Sequence, residues 1–214
     1  MDLTHLREEY THAGLAEGDL AADPIDQFRA WFAAWHDVAV GDANAMVVTT
    51  ATPEGRPSVR TVLLRAIADG GFVFYTNHHS RKGREIAANR RVAILFPWHP
   101  LGRQVIVEGV AAPVDAATSD AYWATRPRGS QLAAIASPQS QPVPDRAALE
   151  RRVEELDRRY EGEAVPRPEH WGGVRVVPDR FEFWQGRELR MHDRLVYRRD
   201  DTRPSGWCVE RLAP

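Results

Sequence analysis

Within Phe181–Arg194, FEFWQGRELRMHDR, basic residues recur at every second position: Arg190, His192 and Arg194. The stretch reads as a strand, a Gln185-Gly186 turn and a second strand. Alternation along an extended chain then puts those three side chains on one face and Met191 and Asp193 on the other. Two fixed cations flanking a titratable imidazole repel one another. Such a row either faces open water, as a solvated edge strand does, or lies against an anion. Trp184 and Gln185 flank it, and other basic clusters lie upstream.

One of these is Asn77-His78-His79-Ser80-Arg81-Lys82. Ser80 is a good helix N-cap, which places Arg81 and Lys82 in the first turn. That end of a helix carries positive partial charge and free N–H groups, so cations are disfavoured there. A phosphate at the helix start, contacted by both side chains, would reverse the balance; two solvated surface cations are the alternative. His78-His79 has no second ligand cluster at regular spacing, so no metal site is expected. Arg60 and Arg65 bracket the apolar TVLL. On a strand Arg60 shares a face with Val62 and Leu64, and Arg65 shares the other with Thr61 and Leu63. That pattern suits two anionic partners, or a strand whose two ends both reach solvent. Arg126-Pro127-Arg128-Gly129-Ser130-Gln131 again combines cations with a hydroxyl, a set suited to phosphate. There is no Gly-x-Ser-x-Gly elbow, no Walker loop and no Gly-x-Gly-x-x-Gly, so any phosphate is held by side chains and a helix end.

The elements that must position these groups follow from the pattern. Asp23 caps a helix with Pro24 in its first turn. Ile25, Phe28, Phe32 and Trp35 recur at helical spacing as core residues, and Gly41 ends it. Strands are expected at Ala45–Thr50, Ser58–Arg65, Phe72–Thr76, Val92–Trp98, Arg103–Val114, Val174–Trp184, Leu189–Arg198 and Trp207–Leu212. Helices are expected near Ser80–Asn89, Ala116–Thr125 and Arg146–Tyr160, with a long Pro/Ser/Gln loop over Arg126–Pro144. Short strands with tight turns imply a mainly β, antiparallel barrel or sandwich with flanking helices. Residues 1–22 are expected to form a mobile segment and 23–214 a single domain.

The 214 residues are 43% hydrophobic and 27% charged, enough for one large domain. A net charge of −2 gives no case for nucleic acid or a membrane surface. Lys82 is the single lysine, and the single cysteine, Cys208, excludes an internal disulfide. No apolar run approaches a membrane span and the N-terminus has no signal-peptide core, so a cytoplasmic protein is expected.

The motifs in their order carry a family resemblance. LREEYTHAGL, RTVLLR, FVFYTN, SRKGREIAANRRVAILFPWH, RQVIVEG, RPRGSQ, WGGVRV, EFWQG, RMHDR and the terminal RLAP run nearly end to end. Together they resemble the pyridoxine/pyridoxamine 5′-phosphate oxidase family, FMN-dependent enzymes of vitamin B6 metabolism. The resemblance implies a split β-barrel and a homodimer with FMN at the subunit interface. It places FMN contacts on Arg60, Thr61, Val62, Leu63, Leu64, Tyr75, Thr76, Arg81, Lys82, Gln104, Gln139, Ser140, Trp184 and Arg194. It places the substrate phosphate on Arg65, Tyr122, Arg126 and Ser130. Arg190 and His192 would lie against the substrate ring as catalytic residues, and Arg7 and Tyr10 would belong to an N-terminal segment covering it.

The implied reaction oxidises pyridoxine or pyridoxamine 5′-phosphate to pyridoxal 5′-phosphate, with O2 as acceptor, H2O2 as product and ammonia released from the amine. Two departures stand out. Arg65 occupies a position where the family is expected to have lysine, replacing a point charge by a planar fork. Glu8 stands where a basic residue is expected. The rival classes are a split-barrel flavin or deazaflavin oxidoreductase with another substrate, and a non-catalytic flavin- or pyridoxal-phosphate-binding protein.

Overall fold

A computed structural model describes residues 1–3, 5, 10 and 13–214; Arg7 and Glu8 lie outside the described residues. Asp23 caps α1 (Pro24–His36), its carboxylate accepting from the Ile25 N–H at 2.7 Å, with Pro24 preset for the first turn. Phe28 and Trp31 form the buried face of α1. Phe28 meets Phe72, Phe96 and Trp98 at ring separations of 5.0, 4.8 and 5.6 Å, and Trp31 meets Phe183 edge-on at 5.2 Å. Trp35, further along the stripe, is only partly buried, and the helix ends at His36, ahead of Gly41.

The strands are β1 (Ala45–Ala51), β2 (Pro57–Leu63), β3 (Ala66–Ala68), β4 (Gly71–Asn77), β5 (Arg91–Trp98), β6 (Arg103–Pro113), β7 (Trp171–Gln185), β8 (Asp193–Arg199) and β9 (Trp207–Arg211). They form one antiparallel sheet in the order β2-β1-β5-β6-β7-β4-β3, with β8 and β9 continuing from β7. The sheet curls until β2 approaches β4, giving a half-barrel. β1 and β5 alternate buried and half-buried or exposed residues as one-face-in strands must.

The long β7 divides the sheet. Val174–Gln185 pairs with β6 on one edge; on the other, Trp171–Val176 pairs with β4 and Arg180–Gln185 with β8. A bulge between Glu108 and Gly109 accommodates this change of direction. A Cβ on Gly109 would lie 2.2 Å from the Val177 carbonyl oxygen, an immobile backbone atom. Gly109→Ala is therefore expected to lower stability by about 1–3 kcal/mol, seen as a reduced urea midpoint; an unchanged midpoint would mean the two strands separate freely here.

Helices α2 (Arg81–Ala88), α3 (Ala116–Ala124), α4 (Arg128–Ala136) and α5 (Arg146–Arg159) flank the sheet. A second apolar cluster, Trp123, Leu132, Val165 and Trp171, joins α3 and α4 to the start of β7.

Two expectations are corrected. Residues 126–144 are not one long loop, because α4 occupies the middle. Gly129, Ser130 and the flanking prolines look loop-like, yet Leu132 and Ala136 are buried and Pro127 stands immediately before the helix. The strand expected at Leu189–Arg198 begins only at Asp193. Glu188–Arg190 is a 3-10 turn in which Leu189 (φ 53°) and Arg190 (φ 62°) are left-handed. Arg190 and His192 therefore do not share a strand face with Arg194. Gln185 pairs with Asp193, so residues 186–192 form the connection, closed by the Arg187 N–H donating to His192 Nδ1 at 3.1 Å. The short strand β3 was not foreseen.

Candidate active site

A cavity of about 500 Å³ opens between β2, β4, α2, α3 and α4. Its lining brings together Thr61, Val62, Leu63, Tyr75, Thr76, Lys82 and Gln139 with Arg65, Tyr122, Arg126 and Ser130. Residues expected to touch cofactor and residues expected to touch substrate thus share one space. Asn77, Ala133, Ala134, Ser137 and Trp171 also line it and were not anticipated. Trp171 is the important omission. Its ring is near-parallel to Tyr75 (5.5 Å) and Tyr122 (6.1 Å), which stack on each other at 3.8 Å. An aromatic next to Gly172-Gly173 is the signal that could have pointed to it.

The Arg126 guanidinium lies 4.5 Å from the Trp171 ring centre and 5.1 Å from that of Trp123. Its Nη1 is buried with no hydrogen-bond partner. Burial weakens the hold of Arg126 on its proton, and Arg65 adds repulsion. Arg65 itself lies over the Tyr122 ring at 5.9 Å. Lys82 donates to Gln139 Oε1 at 2.9 Å and Thr76 Oγ1 at 3.1 Å, both neutral. Burial, and then the nearby Arg60, push the Lys82 ammonium down to about 8. Ser80 caps α2, its Oγ accepting from the Gly83 N–H at 3.3 Å. Gly83 is required there, because a Cβ would lie 2.2 Å from the His78 carbonyl oxygen.

Two mutually repelling cation pairs therefore bear on the cavity, Lys82 with Arg60 behind it and Arg126 with Arg65. A buried guanidinium nitrogen without an acceptor is costly. Phosphate oxygens would supply the acceptors, so the residues present fit a ligand set with two phosphate groups, such as FMN and a phosphorylated substrate.

Other expected residues lie elsewhere. Arg60 and Arg81 are not in the lining; both turn to the carboxylate of Glu85, 3.6 Å from Arg60 Nη2 and 2.8 Å from Arg81 Nε. The anionic neighbour of Arg60 here is a carboxylate of the chain itself. Leu64 is buried in the core and Ser140 is exposed in a turn at φ 69°. Arg128 leaves the phosphate set altogether. It bonds the Asp157 carboxylate (2.9 Å) and the carbonyls of Glu163, Tyr160 and Asp157 beyond and within the last turn of α5.

A second group forms on β6, β7 and β8. Gln104 pairs with Trp184, and Trp184 with Arg194, so the three stand in a row across the sheet. Arg194 donates to Glu182 at 2.7 Å and to the Ala213 carbonyl. Glu182 is buried; although burial opposes it, bonds from Arg194 and Arg180 hold its carboxyl below the ordinary range. His192 stacks obliquely on Trp184 at 4.7 Å, and Tyr10 meets both rings edge-on at 5.6 and 5.7 Å. Since His192 Nδ1 accepts a hydrogen bond, Nε2 carries the proton in the neutral ring. The guanidinium of Arg190 makes no hydrogen bond or ion pair among the described residues, and its flanking Leu189 and Met191 are exposed. None of Gln104, Trp184, Arg190, His192 or Arg194 lines the cavity.

The relatives of this chain match it over nearly its whole length. A pyridoxine/pyridoxamine 5′-phosphate oxidase from Rubrobacter xylanophilus is 58% identical over 213 residues, covering 100% of this chain and 97% of that protein. The structure of PhzG from Burkholderia lata, in complex with tetrahydrophenazine-1-carboxylic acid, superposes with a TM-score of 0.87 at 32% identity, covering 95% of this chain and 100% of the other. A pyridoxamine 5′-phosphate oxidase-related, FMN-binding protein from Nostoc punctiforme shares the split-barrel fold at TM-score 0.70 and 17% identity, over 91% and 100% of the two chains. Residues 171–214, which carry the row of Gln104's partners, match the family's C-terminal dimerisation region, described for pyridoxine 5′-phosphate oxidase. Residues 33–160, which build all of the cavity but Trp171, match the pyridoxamine 5′-phosphate oxidase family, and with full-length relatives at this identity the chain belongs to that family.

Proposed function

We propose that this protein binds FMN and oxidises pyridoxine 5′-phosphate and pyridoxamine 5′-phosphate to pyridoxal 5′-phosphate, with O2 as electron acceptor. The observation that carries the reading is a single cavity with two separate cation groups, Lys82 with neighbours that Glu85 offsets only in part, and Arg126 with Arg65. Lys82, with Arg60 and Arg81 behind it, would hold the flavin phosphate; Thr61–Leu63, Tyr75, Thr76 and Gln139 would border the ring system. FMN, when bound, supplies a two-electron acceptor that dioxygen reoxidises with release of hydrogen peroxide. Arg126, Arg65, Tyr122 and Ser130 would hold the substrate phosphate.

Arg190 and His192 stand apart from this cavity in one chain. In a homodimer joined through the C-terminal region, the partner would bring its own copies of these residues, with Trp184, Gln104 and Arg194, to the cavity rim. Arg190 would then position the reacting carbon and stabilise developing charge. His192 would donate a hydrogen bond through Nε2, and the Tyr10 segment would exclude water.

An aerobic assay on FMN-loaded protein tests this. Aldehyde and hydrogen peroxide should appear in equal amounts from both phosphorylated substrates. A yellow protein that makes neither would point to a flavin enzyme with another substrate, such as an unphosphorylated acid of the kind bound in the PhzG structure, which a substrate without phosphate would reveal. The two cation pairs favour phosphorylated ligands over that reading.

The Lys82 ammonium sets a pH dependence. It is charged in the empty protein below about 8. Above that value FMN must bind together with a proton, so its dissociation constant is expected to rise with pH, at a limit of about tenfold per unit. Fluorescence titration between pH 6.5 and 9.5 reads this directly, and a flat profile would remove Lys82 from the phosphate site.

A further inference from the structure

Glu85 is 6% exposed, one turn into α2, and nothing in its sequence context marks it. Its Oε2 accepts from the hydroxyls of Thr50 on β1 and Ser58 on β2, and its Oε1 accepts from Arg81 Nε at 2.8 Å. The same hydroxyls accept from Arg60: Nη1 donates to Thr50 Oγ1 at 2.6 Å and Nη2 to Ser58 Oγ. A guanidinium cannot accept, so each hydroxyl has its one proton free to aim at Glu85. The result is a closed ring, guanidinium to two hydroxyls to one carboxylate, with all its bonds aligned. These bonds hold the Glu85 carboxyl down at about 2 despite its burial.

Arg60, Arg81 and Lys82 gather behind and at this end of the cavity, and Glu85 is the acidic group paired with the two arginines, which leaves a net +2 for three cations and one carboxylate. That is the complement of a phosphate monoester dianion.

We propose that Glu85 is the resident counter-ion of this end: a positioning residue that holds Arg60 and Arg81 in place in the empty protein and sets the cluster's charge to match one incoming phosphate dianion. This rests on the reading of the Lys82 end as the flavin phosphate site. Arg81, half-exposed, is the arm free to leave Glu85 for the phosphate, while Arg60 stays locked in the ring. Glu85 thus stabilises the empty site and limits how tightly it holds phosphate.

Glu85→Gln keeps the shape and removes the charge. One amide N–H₂ must then face a donor, either Arg81 Nε–H or the two hydroxyls. The empty variant is expected to melt below wild type, and inorganic phosphate should raise its melting temperature more than it raises that of wild type. FMN should bind about tenfold more tightly at low ionic strength, with a steeper salt dependence, while riboflavin affinity stays the same. Glu85→Asp keeps the charge and should retain the wild-type ratio of FMN to riboflavin affinity.

An FMN-to-riboflavin ratio that is unchanged or lower in Glu85→Gln would overturn the proposal, as would a ratio in Glu85→Asp that shifts as far as in Glu85→Gln. A Glu85→Gln protein recovered folded only with phosphate present supports it. Should that variant be recovered under neither condition, Arg81→Gln decides: with one cation fewer, the phosphate-induced rise must shrink, and an undiminished rise rejects the charge match. The inorganic phosphate series is independent of flavin. If wild type fails to bind FMN yet the phosphate series behaves as described, the cofactor assignment falls and the role of Glu85 stands.

Discussion

Arg190→Ala is expected to lower kcat by about 10²–10³-fold, the loss typical of removing one preorganised donor to developing charge, while FMN affinity stays within about twofold of wild type. Arg190 has no ionic partner among the described residues and sits outside the cavity that would hold the cofactor, so removing it should disturb neither folding nor flavin. Its backbone is left-handed, as is that of Leu189, a conformation that costs roughly 1–2 kcal/mol per residue for a side chain bearing a Cβ. Two adjacent residues held this way form a rigid tip, and such strain gathers where a side chain must be aimed. Alanine is the right probe because it keeps the Cβ and therefore the strain; glycine would relax the tip and change two things at once. Steady-state kinetics beside a flavin titration separates the effects. Normal turnover would remove Arg190 from the chemistry, and loss of flavin would mean that the tip supports the cofactor instead.

Arg126→Met should raise KM for both phosphorylated substrates by about 10- to 150-fold, equivalent to about 1.5–3 kcal/mol for a charge-assisted phosphate contact, with a smaller change in kcat. The same substitution is expected to leave the melting temperature of the empty protein unchanged or higher. In the empty protein Arg126 is a buried cation with an unsatisfied nitrogen between two indole rings. A methionine of similar length would fill that slot without the desolvation penalty. The opposite signs on binding and stability distinguish a ligand-holding arginine from a structural one such as Arg128, whose loss would free the α5 carboxylate and carbonyls it clamps and lower stability alone. An unchanged KM would place the substrate phosphate elsewhere.

Much of the scaffold was legible because its causes are local. Ser80 caps α2 and Asp23 caps α1 through bonds to backbone only two or three residues away. The alternation in β1 and β5 follows from one face meeting the core. The clustering of Lys82 with Gln139, and of Arg65 with Tyr122, Arg126 and Ser130, followed from the family motifs taken together rather than from any single spacing. The helix at Arg128–Ala136 escaped because its apolar face is short and its stability comes from packing beside Trp123, which local propensity does not register.

The sequence by itself determined the strand and helix types, which depend on side chains within a few positions, and, through motifs along the whole chain, the family and the identity of most cavity-lining residues. Only the tertiary structure decided which cations are already satisfied. Arg81 reads as a phosphate contact or a solvated cation, but β1 and β2 bring Thr50 and Ser58 from 35 and 27 residues away to hold the buried carboxylate of Glu85 beside it. Arg190 and His192 read as one strand face until the Gln185–Asp193 register forces a loop, closed through His192 Nδ1, in which Leu189 and Arg190 are left-handed. Charge type is written in the chain, but whether a charge is free for a ligand depends on the partners that long-range pairing places beside it, because the energy of a buried ion is set by its neighbours rather than by its own chemistry.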